Sequence, residues 1–348
     1  MNSTTAAIIS AVIAFGITAV LGIVLIPVLH KLKFGQTILT DIGPKWHAKK
    51  QGPPTMGGIM FIIGIIFASL LTLLICKMFG FNVFSELSQI KTNEIIKLAA
   101  CIILAFCFAL IGFTDDYIKV VKKRNLGLTE IQKTIPQLMI IAAFLATLGI
   151  SGNTSMVVPF VGKISFNSLP GMIFFYIFGA CVIYGAVNAV NFTDGLDGLC
   201  AGVTLPVGVA FAVMAAVYNL TSISILGAAL TGGCAGYLIW NHYPAKVMMG
   251  DTGSMFLGGL IVALAYAVDC PIILVFVGII YVIEALSDVI QIGSIKIRHK
   301  KVFKMAPIHH HFEMSGWSEK KIDTVFSIIS IIGCAIGTAL FVYTLKTM

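Results

Sequence analysis

Charge is what this sequence has least of. Only 11% of its 348 residues are Asp, Glu, Lys or Arg, against roughly a quarter in an ordinary soluble domain, and 58% are apolar. So few charges cannot clothe a water-soluble globule, and so much apolar mass excludes a disordered chain. The eight cysteines include no C-x-x-C pair, which removes the common zinc and disulfide frameworks. All eight fall in apolar stretches, where a thiol packs as a small hydrophobe. Neither G-x-G-x-x-G nor a Walker loop occurs, so any nucleotide is held by something other than a Rossmann or P-loop turn. The formal net charge is +8, yet no charged domain exists to present a face to nucleic acid. The basic residues read instead as signals of membrane topology.

What is present is long uncharged sequence. The charge-free runs are 1–30, 51–76, 98–114, 134–162, 164–193, 198–245, 252–268, 270–283 and 324–345. A helix crossing a hydrocarbon core takes roughly 20 residues, and the run 198–245 is long enough for two, with a polar break at Tyr218 to Ser222. Ten transmembrane helices are predicted. The first run lacks the basic start and small-residue cleavage site of a signal peptide and reads as the first span. The stretch from Cys270 to Arg298 would be about 43 Å long as one helix. It exceeds the bilayer core, which predicts a bend, placed near Gly293.

In a ten-span plan with both termini on one side, all of the 23 Lys and Arg except Lys77, Lys91, Lys97, Lys163 and Lys346 fall in connections on the other side. Positive charge flanking spans is retained in the cytoplasm. The fold class expected is therefore an all-α integral membrane protein, one polytopic domain over 1–348, with both termini extracytoplasmic and its cleft open to the cytoplasm. All seven histidines fall on that inner side, as do all acids but Glu86, Glu94 and Asp269. A carboxylate near the membrane core costs roughly 2.5 to 3.5 kcal/mol on insertion scales, so such groups mark chemistry or transport.

Five segments collect these groups. In GFTDDYIKVVKKR (Gly112 to Arg124) Lys119 lies four residues after Asp115 and three after Asp116, on one helix face. An interfacial salt bridge accounts for one acid; a second points to a general base or a divalent-cation site. In NFTDGLDGL (Asn191 to Leu199) Asp194 and Asp197 sit in a glycine-bearing turn that would also serve as a helix cap. In MMGDTGSM (Met248 to Met255) Asp251 stands before hydroxyls at a helix start. A hard cation would bind the carboxylate and an anion the helix N-terminus, while Thr252 or Ser254 would serve as an ordinary cap. Glu284, Asp288 and Gln291 share one face of a span, a polar stripe that should line a cavity. APIHHHFE (Ala306 to Glu313) places three imidazoles beside Lys296, Arg298, Lys300, Lys301 and Lys304, which fits an anion better than a soft metal. His310 and His311 are the expected diphosphate ligands and His309 the structural member, because three adjacent side chains cannot all face one site.

Together with PPTMGG (Pro53 to Gly58), these motifs, in this order between ten spans, closely resemble the family of phospho-N-acetylmuramoyl-pentapeptide transferases over essentially the whole chain. The resemblance implies transfer of phospho-N-acetylmuramoyl-pentapeptide from its UDP carrier to undecaprenyl phosphate, giving lipid I and UMP on the cytoplasmic face of a bacterial inner membrane. It also implies a Mg²⁺ requirement and a homodimer. Carried over motif by motif, it makes Asp115, Asp116 and Asp251 the catalytic candidates, with Asp251 the metal ligand. It assigns Lys50, Lys119, Lys133, Asn188, Asn191, Asp194, Asp197, Asn241, Met248, Gln291, His310 and His311 to substrate binding, with Asp194, Asp197 and Asn241 near the nucleoside. Met248 stands where the family more usually has Phe, which removes an aromatic stacking partner for the uracil ring. Two other readings compete: a sibling transferase using a UDP-N-acetylhexosamine without peptide, and a secondary transporter. A transporter would place its acids near the midplane rather than at one face.

Overall fold

A computed structural model of the protein describes residues 1–32, 53–121 and 127–348. Its helices are α1 (Ser3–Lys31), α2 (Gly58–Met78), α3 (Ser88–Val121), α4 (Glu130–Ile150), α5 (Leu169–Thr193), α6 (Leu199–Val217), α7 (Thr221–Asn241), α8 (Gly250–Ala267), α9 (Leu274–Val277), α10 (Ile279–Arg298), α11 (Ile308–Glu313) and α12 (Glu319–Thr347). Among the described residues nine helices are long and apolar enough to cross a membrane, and a bent pair, Pro271–Val277 with Ile279–Arg298, makes up to ten.

Local chemistry sets the ends of these elements. The Asn2 side chain accepts from the Thr5 amide at the start of α1, Thr129 and Gln132 form a capping box on α4, and Ser168 caps α5 with Pro170 in its first turn. The polar break read at Tyr218 to Ser222 separates α6 from α7, with Asn219 in the left-handed region at φ 59°.

One expectation is corrected. The bend lies at Gly278, not Gly293, and turns the chain by 88°. A Cβ at Gly278 would stand 2.7 Å from the Leu274 carbonyl oxygen, whereas one at Gly293 would meet nothing. Only the first position needs glycine. The all-α architecture carries one short addition: α4 stops at Ile150, and β1 (Ser155–Val158) pairs antiparallel with β2 (Gly162–Ser165), Ser155 opposite Ser165.

The bundle is organised around α8, almost every residue of which is buried. Its glycines and alanines let α3 and α5 pack close on two sides, with α2 on a third. An outer layer follows, α1 against α7 and α2, α6 against α7, and α12 against α6. Apolar side chains such as Ile8, Val12, Val24, Phe67 and Ile331 face outward, the arrangement a lipid-solvated surface allows. The N-terminus of α8 thus meets the ends of α3 and α5 and the start of α4.

Candidate active site

The site begins with a glycine. Gly250 takes φ 70° at the head of α8, and a Cβ there would run against the Asp116 carboxylate. That carboxylate accepts from the backbone N–H of Asp251 at 3.2 Å, and from the N–H and hydroxyl of Thr252 at 2.9 and 2.7 Å. The cap of α8 therefore comes from α3, not from Thr252 or Ser254, and it binds the two helices together. Ser254 instead donates to the Gly250 carbonyl and accepts from Asn191.

Beside the cap lies an alternating set of charges. Lys119 Nζ stands 2.6 Å from Asp115 Oδ2 and 3.3 Å from Asp251 Oδ2. Lys133 Nζ, from α4, stands 3.1 Å from Asp115 Oδ1 and 2.7 Å from Asp251 Oδ2. Asn191, from α5, donates to Asp251 Oδ1 at 3.2 Å, and Asp115 also accepts from the Leu128 amide at 2.7 Å. Three helices, α3, α4 and α5, thus place side chains around Asp251. Carboxylate oxygens of Asp115, Asp116 and Asp251 all lie within 4.8 Å of one another, an arrangement that could hold a metal ion. All three are hard oxygen donors, the class Mg²⁺ takes.

The other expected residues among the described ones have partners of their own. Asn188, one turn earlier on α5, donates to Gln137 Oε1 and to the Tyr184 carbonyl. Asp194 ends α5; enclosure by protein and the carboxylates of Asp251, Asp116 and Asp197 raise its pKa well above the ordinary value. Asp197 accepts from the Ala245 amide. Asn241 is 1% exposed and uses both ends of its amide on backbone, accepting from Gly198 N–H and donating to the Val247 carbonyl. It ties the α5–α6 loop to the α7–α8 loop. Met248 pairs through its backbone with the segment before α2, with Pro54 and Gly57. Lys50 lies outside the described residues.

Gln291 lies at the C-terminal end of the α10 stripe. Its Oε1 accepts from the Val302 and Phe303 amides and its Nε2 donates to the Phe303 carbonyl, so the end of the α10 stripe holds a loop rather than open space. His311 Nδ1 accepts from the Lys304 amide, and a neutral imidazole so engaged carries its proton on Nε2. His310 Nδ1 lies 2.6 Å from Glu313 Oε2. His309 is buried against Glu284, 3.1 Å away. That contact between a stripe acid and the histidine segment is the part of the site least foreseen; the signal was Glu284 itself, an acid inside a span.

The profile of the family described as Glycosyl transferase family 4 matches residues 98–269, which carry both Asp115 and Asp116 and the head of α8. Proteins named phospho-N-acetylmuramoyl-pentapeptide-transferase match along almost the whole chain. That of Acetivibrio thermocellus is 44% identical over 94% of this chain and 92% of its own. That of Desulforamulus reducens is 43% identical over 94% of each, and that of Clostridium perfringens 44% identical over 95% and 98%. Identity of this extent spans the charge cluster and the bundle that positions it, and the chain belongs to the phospho-N-acetylmuramoyl-pentapeptide transferase family.

Proposed function

We propose that the protein transfers phospho-N-acetylmuramoyl-pentapeptide from UDP-N-acetylmuramoyl-pentapeptide to undecaprenyl phosphate, forming lipid I and UMP for peptidoglycan synthesis. One observation carries the reading: Asp251, at the head of the central helix, meets two lysines, an asparagine and a second carboxylate drawn from three other helices. Three carboxylates against two ammonium groups leave one formal negative charge, which would repel a diphosphate. A divalent cation reverses that balance, and Mg²⁺ bound by Asp251 with Asp115 or Asp116 would supply charge neutralisation at the reacting phosphates.

The chain's own groups do the rest. Lys119 and Lys133 stabilise phosphate charge. Asp115, between both lysines and without a capping duty, is placed to take or hold a proton of the acceptor phosphate. An acceptor phosphate oxygen attacks the sugar-bearing phosphorus, the bond from that phosphorus to the bridging oxygen breaks, and UMP leaves. We favour this direct displacement over an aspartyl intermediate because the lipid phosphate is already a competent nucleophile. A cavity of about 440 Å³ between α5, α8 and α10, walled by Phe178, Val182, Ala189, Val190, Leu274 and Tyr281, offers an apolar path for the polyprenyl chain toward Asn191. The neutral imidazole of His311 supports a donor role toward the diphosphate, with His310 beside it.

On this reading the enzyme is a single membrane domain, a homodimer in a bacterial inner membrane, with its termini outside and its site on the cytoplasmic face. The experiment is UMP release by purified protein given undecaprenyl phosphate, Mg²⁺ and either the muramyl-pentapeptide donor or a UDP-N-acetylhexosamine. Release with the first donor alone is expected; release with the second alone would transfer the assignment to the sibling activity, and release with neither would end it.

A further inference from the structure

We infer that Glu284 is a positioning residue that acts through His309 on the Asp194–Gly195 turn, and so on the polar donor of the reaction proposed above. The inference rests on that reading. Glu284 and His309 are 0% and 1% exposed, and Glu284 Oε2 lies 3.1 Å from His309 Nδ1. A carboxylate can only accept there, so the proton is on Nδ1 and the ring is held in one orientation. His309 Nε2 and Glu284 Oε1 are both buried without a hydrogen-bond partner. Two orphaned polar atoms in one enclosed pair are more than packing requires, since an apolar pair would fill the space without them.

Nε2 points to a particular place. It is the atom nearest to where a Cβ on Gly195 would sit, and that Cβ would overlap the ring. Gly195 is not among the left-handed residues, so its backbone would accept another amino acid. The imidazole is what excludes a side chain. The turn that the ring abuts carries Asp194, which feels the charges of Asp251 and Asp116. The ring also lies 4.1 Å, centroid to centroid, from that of His310. Glu284 on α10 therefore sets both the α5–α6 turn and the second histidine. The Asp194–Gly195 turn and His310 lie outside the candidate spans, among charged groups, where the polar donor rather than the lipid tail must dock.

The test is steady-state UMP release by the full-length purified enzyme, with KM measured separately for donor and for undecaprenyl phosphate, alongside thermal unfolding. Glu284→Gln keeps an oxygen that accepts from Nδ1–H and is expected to stay within about threefold of wild type. Glu284→Leu removes the acceptor and is expected to raise donor KM about tenfold or more, as loss of one hydrogen bond to a charged group does, with acceptor KM within about twofold. Gly195→Ala pushes on the same ring with Glu284 intact and should reproduce the donor effect, which decides the matter should Glu284→Leu not fold. Equal damage from Gln and Leu would mean that charge rather than geometry matters. Unchanged kinetics, or losses that follow melting temperature with both KM values moving together, would reduce the pair to packing. Either result, with wild type active on the muramyl-pentapeptide donor, overturns this inference alone; a wild type inactive on that donor overturns the functional reading as well.

Discussion

Asp115 and Asp116 are adjacent in sequence, yet their side chains meet different partners. Asp116 accepts from three donors at the head of α8, so Asp116→Ala strands buried N–H groups and removes a cap. A loss of about 2 kcal/mol is expected, the sum of a lost cap and an unsatisfied donor at their usual sizes, and thermal melts in detergent would show it; Asp116→Asn, which keeps an acceptor, should melt closer to wild type. Asp251→Asn is expected to act on turnover instead. It retains shape but loses the charge that faces Lys119, Lys133 and a cation, and UMP release should fall roughly a hundredfold or more, the scale of removing one electrostatic group from a catalytic site. Titrating Mg²⁺ checks the cause: recovery at high Mg²⁺ supports a metal ligand, and normal turnover at ordinary Mg²⁺ would count against one. Asp194 carries a pH signature. Its pKa in the folded protein is raised by enclosure and neighbouring carboxylates, so the unfolded chain gives up this proton first. Stability from this group is therefore full below its ordinary pKa of about 3.9 and is lost as pH climbs toward the raised value. Asp194→Asn escapes that loss. Without divalent ions, its melting temperature relative to wild type should rise between pH 5 and pH 8; a constant difference would contradict the shift.

At the scale of elements, the far end of α8 is tied as firmly as its head. Lys97 of α3 lies 2.6 Å from Asp269 and donates to the Ala267 carbonyl, while Tyr218 donates to the other Asp269 oxygen and Lys163 of β2 stands 3.5 Å away. Both partners of the central pair are buried, and removing one member of a buried pair costs about 3 to 5 kcal/mol. Lys97→Met should lower the melting temperature sharply, and adding Asp269→Leu should restore part of the loss; a neutral Lys97→Met would show the pair to be incidental. Such ties explain how far the elements were legible in the sequence. The spans could be placed because a hydrocarbon core demands charge-free length, and the break near Tyr218 because two polar turns cannot be buried in lipid. The hairpin escaped because Met156 to Val158 are as apolar as the helix before them. The bend escaped because what marks Gly278 is the Leu274 carbonyl, a neighbour only in the folded chain. The site residues were likewise legible as acids out of place, whereas their partners were not. Nothing in the spacing of residues 116 and 252, or 284 and 309, joins one to the other.

For the whole molecule, the two ends of the bundle differ in charge. The eighteen residues of α8 separate Asp251 from Asp269 by about 27 Å, one hydrocarbon thickness. The Asp269 end also holds the hairpin and the last turns of α12, where the Phe160 amide donates to Thr344 Oγ1. There Lys97 and Lys163 both pair with the single Asp269. At the other end Lys296, Arg298, Lys300, Lys301 and Lys304 stand exposed around the histidine segment. Positive charge flanking spans is retained on the cytoplasmic side, which supports the proposed orientation with Asp251 inside and Phe160 outside. Cysteine labelling tests this, after exposed Cys181 and half-buried Cys107 are replaced by serine. Phe160 is exposed at the tip of the hairpin, so Phe160→Cys should react with a membrane-impermeant maleimide on intact cells, and Lys300→Cys only after permeabilisation. The reverse pattern would put the charge cluster on the face without nucleotide donors and would end the proposed reaction, because a UDP-linked sugar made in the cytoplasm could not reach it.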